Sequence, residues 1–140
     1  MRLALHVPDL PSTRGMIGRA EIAAMRKDSF LVNASRGHVV DLEALAAAIG
    51  AGKILGAAVD VFPREPSGPD DELVSPLRGL PNVILTPHIG GSTAEAQARI
   101  GSEVARKLID YSDIGTTQGA VNFAQVQLPA RSTGTRFMHV

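Results

Sequence analysis

Asp41-Leu-Glu-Ala-Leu-Ala-Ala-Ala-Ile-Gly-Ala-Gly-Lys-Ile-Leu-Gly-Ala-Ala-Val-Asp60 changes character halfway along. Its first part is rich in Ala and Leu, strong helix formers, and opens on an aspartate suited to capping, so a helix is expected over Asp41–Ala51. Gly50 and Gly52 close it, as glycines do at helix C-termini. The apolar run Leu55–Asp60 follows with no polar alternation, the composition of a strand buried on both faces of a parallel sheet. Helix followed by strand in so short a span is part of a βαβ unit.

The pattern extends in both directions. Leu3–Val7, Phe30–Asn33 and Val83–Thr86 are further short apolar runs bounded by turn residues, and Ala20–Met25 and Thr93–Asp110 read as helices. Ser92-Thr-Ala-Glu95 fits a capping box in which Ser92 accepts from the backbone of position 95 and Glu95 reaches back. Alternating strands and helices define an α/β fold with right-handed crossovers. Beyond Asp110 the pattern weakens: Tyr111–Gly119 is polar, Ala124–Thr135 reads as a linker, and Arg136–Val140 resembles the start of a strand. A buried-type strand right at the start and a new one at the finish are what a piece of a longer protein would present.

The chain has 140 residues, with 14 basic and 14 acidic side chains and a formal net charge of zero. That balance disfavours nucleic acid as a partner, since neutralising phosphates needs a basic surplus. The absence of cysteine excludes disulfides, thiolate nucleophiles and Cys-ligated metals. The longest apolar-plus-glycine stretch, Ala44–Gly52, is too short to span a bilayer, and Pro8 and Asp9 interrupt any signal-peptide layout. A cytoplasmic location is expected, with no membrane and no metal.

Ligands of open parallel sheets bind beyond the carboxyl ends of the strands. Those positions hold Ala34-Ser-Arg-Gly37, Asp60, Glu65 a few residues further on, and His88-Ile-Gly-Gly91. Arginine clamps carboxylates with paired hydrogen bonds, and histidine beside a carboxylate moves protons near neutral pH. Such a set suits proton removal from a small anionic hydroxy acid. Singly, each has a structural alternative: Arg36 as a solvated loop residue, Asp60 as a turn cap, Glu65 as a surface acid, His88 as a hydrogen-bonded structural histidine. Their shared place at strand ends sets them apart. Gly50-Ala-Gly-Lys-Ile-Leu-Gly56 is not a dinucleotide fingerprint, because its third glycine comes one residue late and it leads from helix to strand. Asn33-Ala-Ser-Arg-Gly37 lacks the first glycine of a nucleophile elbow, and neither a Walker lysine motif nor a His-x-x-x-His spacing is present.

In order, Leu5-His-Val-Pro8, Pro11-Ser-Thr13, Leu31–Gly37, Val39-Val-Asp41, Gly56–Phe62, Glu65-Pro66 and Asn82–Ser92 resemble the NAD-dependent D-2-hydroxyacid dehydrogenases over nearly the whole chain. The resemblance implies the C-terminal half of a Rossmann-like NAD-binding domain over 1–92, with the glycine fingerprint and ribose-binding acid upstream of Met1. It implies a long helix and return to a substrate domain over 93–123, then a linker and the first strand of a regulatory domain over 124–140. The activity implied is NAD-dependent oxidation of a small 2-hydroxy acid by a homo-oligomer. Arg36 would hold the substrate carboxylate, His88 would be the acid/base, and Glu65 would orient it. Ala34, Ser35, Arg36, Asp60, His88, Ile89, Gly90 and Gly91 would surround the nicotinamide half of the cofactor. Without the fingerprint, the chain alone is expected to bind NAD weakly and turn over little. Two alternatives stay open: a family member with another substrate, such as a glyoxylate/hydroxypyruvate reductase, or a non-catalytic NAD-responsive binding protein.

Overall fold

The computed structural model describes residues 1–68 and 70–127. The chain divides into two compact units, Met1–His88 and Ile89–Val140. In the first, four strands lie parallel in the order β1 (Arg2–Leu5), β2 (Ser29–Asn33), β3 (Ile54–Val59) and β4 (Val83–Leu85). Helices α1 (Arg19–Ala24) and α2 (Leu42–Gly50) form the first two crossovers, whereas an irregular segment joins β3 to β4. Each of the four strands expected before Asp110 is present, with shifted bounds. The first stops at Leu5 instead of Val7 because its partner ends there, Leu5 pairing with Asn33.

Helix α2 begins and ends for identifiable reasons. Asp41 caps it, its side chain accepting from the Ala44 amide at 2.9 Å. At the other end Gly52 takes φ +68°, and the amides of Gly52 and Lys53 donate back to Ile49 and Ala48. Those bonds satisfy carbonyls that the helix leaves open, in the pattern a left-handed glycine permits.

The strands are covered on one face only among the described residues, contrary to the two-sided burial their composition implies. Ser29, Leu31 and Asn33 are buried while Phe30 and Val32 between them are exposed. Leu31, Ile54 and Val59 pack into a core with Ile22, Val39, Leu45, Ile49 and Leu77. Fully burying one such leucine contributes roughly 1.5–3 kcal/mol. Phe30, Val32, Leu55 and Ile84 stay at least 39% exposed, because period-two alternation sends them to the face opposite the helices. Composition reports how apolar a strand is but not what lies against it.

The second unit is built on α3 (Ala94–Ile114), which runs four residues past the Asp110 end that the sequence pattern indicates. Arg106 accounts for the extension: it pairs with Glu103 and Asp110, each at 2.9 Å, so polar residues near the end support the helix instead of ending it. These contacts hold the Glu103 carboxyl below its usual range, chiefly through the Arg106 hydrogen bond. The N-cap is Thr93, which accepts from the Ala96 amide at 3.2 Å, and not Ser92. The Ser92 amide donates to Ile89 in a turn, so the extended backbone that capping requires falls one residue later. Gly115, at φ +67°, ends the helix. Thr117 then donates to Ala124 and accepts from the Val126 amide, and the Tyr111 and Phe123 rings lie 6.4 Å apart. Among the described residues no helix is long and apolar enough to cross a membrane. The expected strand Arg136–Val140 and most of the expected linker lie outside the described residues.

Among the glycines of the first unit, Gly37 makes the closest approach to neighbouring backbone. A Cβ there would lie 2.0 Å from the Phe62 carbonyl carbon and 2.5 Å from the Pro63 nitrogen, both backbone atoms. Gly37→Ala is therefore expected to destabilise the chain by roughly 1–3 kcal/mol, the usual cost of overpacking. Gly50→Ala, where a Cβ meets nothing, should raise stability by about 0.5–1 kcal/mol. Urea unfolding of both variants checks the pair, and equal midpoints would contradict the contact.

Candidate active site

Because β2, β3 and β4 are adjacent and parallel, their carboxyl ends lie side by side. Asn33 pairs with Val59, and Val59 with Leu85, so all three strands stop at one level. The ladder runs slightly past them: the Asp60 amide donates to Asn33 at 2.9 Å and the Thr86 amide to Val59 at 3.1 Å. Arg36, Asp60 and His88 thus emerge from one sheet edge, as their sequence positions imply.

His88 is held by two carboxylates. Its Nδ1 lies 2.8 and 3.0 Å from the oxygens of Glu65. An ionised carboxylate only accepts, so Nδ1 carries the hydrogen and Nε2 is left as the basic atom in the neutral ring. Both side chains are about 40% exposed, which leaves this pair open to solvent on one side. The second carboxylate grips the backbone. Asp60 Oδ1 accepts from the His88 amide at 3.1 Å and from the Thr86 hydroxyl at 2.5 Å. His88 has φ +52°, a left-handed conformation that costs a non-glycine residue of order 1–3 kcal/mol. The bond from Asp60 opposes that cost.

Glu65 is itself anchored, its Oε1 accepting from the Phe62 amide at 3.2 Å. The following loop is closed by Asp71, which accepts from the Ser67 amide at 3.1 Å, the Ser67 hydroxyl at 3.2 Å and Arg64 at 3.0 Å. The Ser67 backbone bond, with help from Arg64, holds the Asp71 carboxyl below its usual range. The order it gives the loop is present at neutral pH and lost as pH falls through that lowered value.

Arg36 is exposed, and one of its terminal nitrogens donates to the Ser35 carbonyl at 2.6 Å. Ser35 is buried while Ala34 is exposed. Ile89, Gly90 and Gly91 begin the second unit, where the Gln97 side-chain amide donates to the Gly91 carbonyl. Sequence reasoning missed Asn33, Phe62 and Thr86, which hold the conspicuous residues in place. A polar residue ending the apolar strand β2 was the available signal for Asn33; the part played by Phe62 is a backbone one and leaves no trace in side-chain type.

The sequence model of the D-isomer specific 2-hydroxyacid dehydrogenase NAD binding domain matches residues 2–90. The chain belongs to that family. Among its relatives is a D-3-phosphoglycerate dehydrogenase of Haemophilus influenzae, 54% identical over 99% of this chain and 34% of the relative. The chain thus spans about a third of the length of the curated relatives it matches. The NAD-complexed D-isomer specific 2-hydroxyacid dehydrogenase of Lactobacillus delbrueckii superposes with a TM-score of 0.68 at 29% identity, covering 86% of this chain and 40% of that one. A D-lactate dehydrogenase from Sporolactobacillus gives 0.66 at 37% identity, covering 84% and 38%.

Removing the carboxylate that grips His88 has a defined effect. Asp60→Ala should destabilise the first unit by roughly 1.5–3 kcal/mol, as expected for hydrogen bonds to a charged group. The same change should accelerate hydrogen exchange at the His88 amide, and Asp60→Asn, which keeps an acceptor oxygen, should restore part of the protection. Unchanged exchange in Asp60→Ala would show that Asp60 does not hold that backbone.

Proposed function

We propose that this chain carries the catalytic residues and the nicotinamide side of an NAD-dependent D-3-phosphoglycerate dehydrogenase, which oxidises D-3-phosphoglycerate to 3-phosphohydroxypyruvate in serine biosynthesis. The observation that carries the reading is the Glu65–His88 pair at 2.8 Å, which leaves Nε2 as a base beside a sheet edge that also bears Arg36. The identity to named D-3-phosphoglycerate dehydrogenases over 99% of the chain supports the choice of substrate.

In this reading Arg36 clamps the substrate carboxylate and polarises the C2 oxygen. His88 Nε2 takes the C2 hydroxyl proton, and Glu65 holds the ring in the tautomer that can do so and stabilises the imidazolium that forms. When bound, NAD supplies the acceptor for the hydride that leaves C2. The residues present fit its nicotinamide end. Asp60 offers acceptor oxygens suited to a carboxamide N–H, and Ser35 and Ala34 would line the ring. Residues 1–92 are taken as part of the NAD-binding domain, 93–123 as the return toward a substrate domain, and 124–140 as the approach to a regulatory one. The complete assembly is read as a homo-oligomer, and the 140-residue chain alone as a weak NAD binder with little turnover.

Grafting the 138 matched residues of this chain into the Haemophilus influenzae relative in place of its matching segment tests the reading. The chimera should reduce phosphohydroxypyruvate with NADH and use glyoxylate far less well. His88→Asn in it should lower kcat by about a hundred- to ten-thousandfold. Preference for glyoxylate would move the substrate to another branch of the family. A folded chimera that binds NADH but turns over neither substrate would overturn catalysis in favour of a binding role.

A further inference from the structure

Asn33 is wholly buried at the end of β2, where an apolar residue would fill the same space without any polar group to satisfy. Burying an amide without partners costs about 1–3 kcal/mol by mutational measures. Every polar atom of this one is used. Oδ1 accepts from the Ser35 amide at 3.1 Å and from the Ser35 hydroxyl at 2.8 Å, and Nδ2 donates to the Arg36 carbonyl at 3.1 Å. A single side chain therefore grips the Ser35–Arg36 dipeptide at both ends. The next residue, Gly37, rests against the Phe62 carbonyl, and the Phe62 amide holds Glu65. On its backbone side Asn33 accepts from the Asp60 amide.

We infer that Asn33 is a positioning residue: its buried amide sets where Arg36 leaves the sheet, relative to the Asp60 and Glu65–His88 group. Among the described residues Arg36 has no carboxylate partner, and its guanidinium bonds only the Ser35 carbonyl. Its aim therefore depends on the backbone that Asn33 grips. Precise placement matters because a two-pronged clamp on a carboxylate tolerates little misalignment. The role rests on the reading of Arg36 as the carboxylate clamp, but the order of its loop can be measured without any ligand. A failure of this inference is thus distinguishable from a failure of that reading.

Asn33→Asp keeps the acceptor oxygen and turns the donor into a second acceptor facing the Arg36 carbonyl. In the 15N-labelled full chain at neutral pH, the backbone order parameters of Ser35 and Arg36 should fall from about 0.85 to below about 0.6. Those of Leu31 and Ala57, in the ladder, should not change. On acidification the introduced carboxyl gains a proton it can donate, and order at Ser35 and Arg36 should return. Asn33→Ala should lose the same order and show no recovery, a contrast that a merely space-filling role would not produce. If Asn33→Asp does not fold, Ser35→Ala removes one of the three bonds and should loosen the same two amides to a smaller extent. Wild-type order at Ser35 and Arg36 in any folded variant, or recovery of Asn33→Ala on acidification, would overturn the inference.

Discussion

Parallel pairing of β2, β3 and β4 is the constraint from which the candidate site follows. In a parallel ladder the register between neighbours also decides how far each strand advances, and here Asn33, Val59 and Leu85 stand level. The residues after them leave the sheet together and find each other at hydrogen-bond range. Asp60 reaches Thr86 and the His88 amide although 26 and 28 residues separate them in the chain. A one-residue slip in β4 would turn its side chains to the opposite face and carry His88 away from both carboxylates.

That register is held by burial on one face. Leu31, Ile54 and Val59 share one core cluster with Ile22 of α1 and with Leu45 and Ile49 of α2, which makes the register costly to change. The other face presents Phe30, Val32, Leu55 and Ile84 uncovered. The two faces therefore differ in what they contribute: one supplies the apolar burial that orders the first unit, while the other presents apolar surface, the kind of feature that pairs with another element or chain. At the sheet edge between them the chemistry changes from apolar to polar, through Asn33, Asp60 and Thr86. Each of these makes a hydrogen bond that stiffens a neighbouring loop.

Two levels of support are visible around His88. Glu65 fixes the ring and, being an acceptor only, the tautomer. Asp60 fixes the backbone, opposing the cost of a left-handed histidine. Neither carboxylate is left to find its own place: the Phe62 amide holds the first, and the Asn33 carbonyl receives the amide of the second. The exposed residues with evident chemistry are thus held by atoms with none.

The amino-acid sequence was sufficient for the α/β class, the places of four strands along the chain, the cap at Asp41 and the glycine end of α2. Each of these is local or periodic: alternation of apolar runs, a capping side chain three residues from its amide, a glycine at positive φ. The sequence also gathered Arg36, Asp60, Glu65 and His88 as a set, because strand ends can be read along the chain. It could not supply the one-sided cover of the sheet, since composition does not say what a strand packs against, nor the shift of the α3 cap to Thr93, which hangs on a turn at Ile89–Ser92. Only the tertiary structure decided that Glu65 takes the ring and Asp60 the backbone of His88, and that Asn33 and Phe62 hold the loops. The His88 contacts join residues far apart in the chain, and those of Asn33 and Phe62, though local, run largely through main-chain atoms that every residue shares, so side-chain identity carries little mark of them.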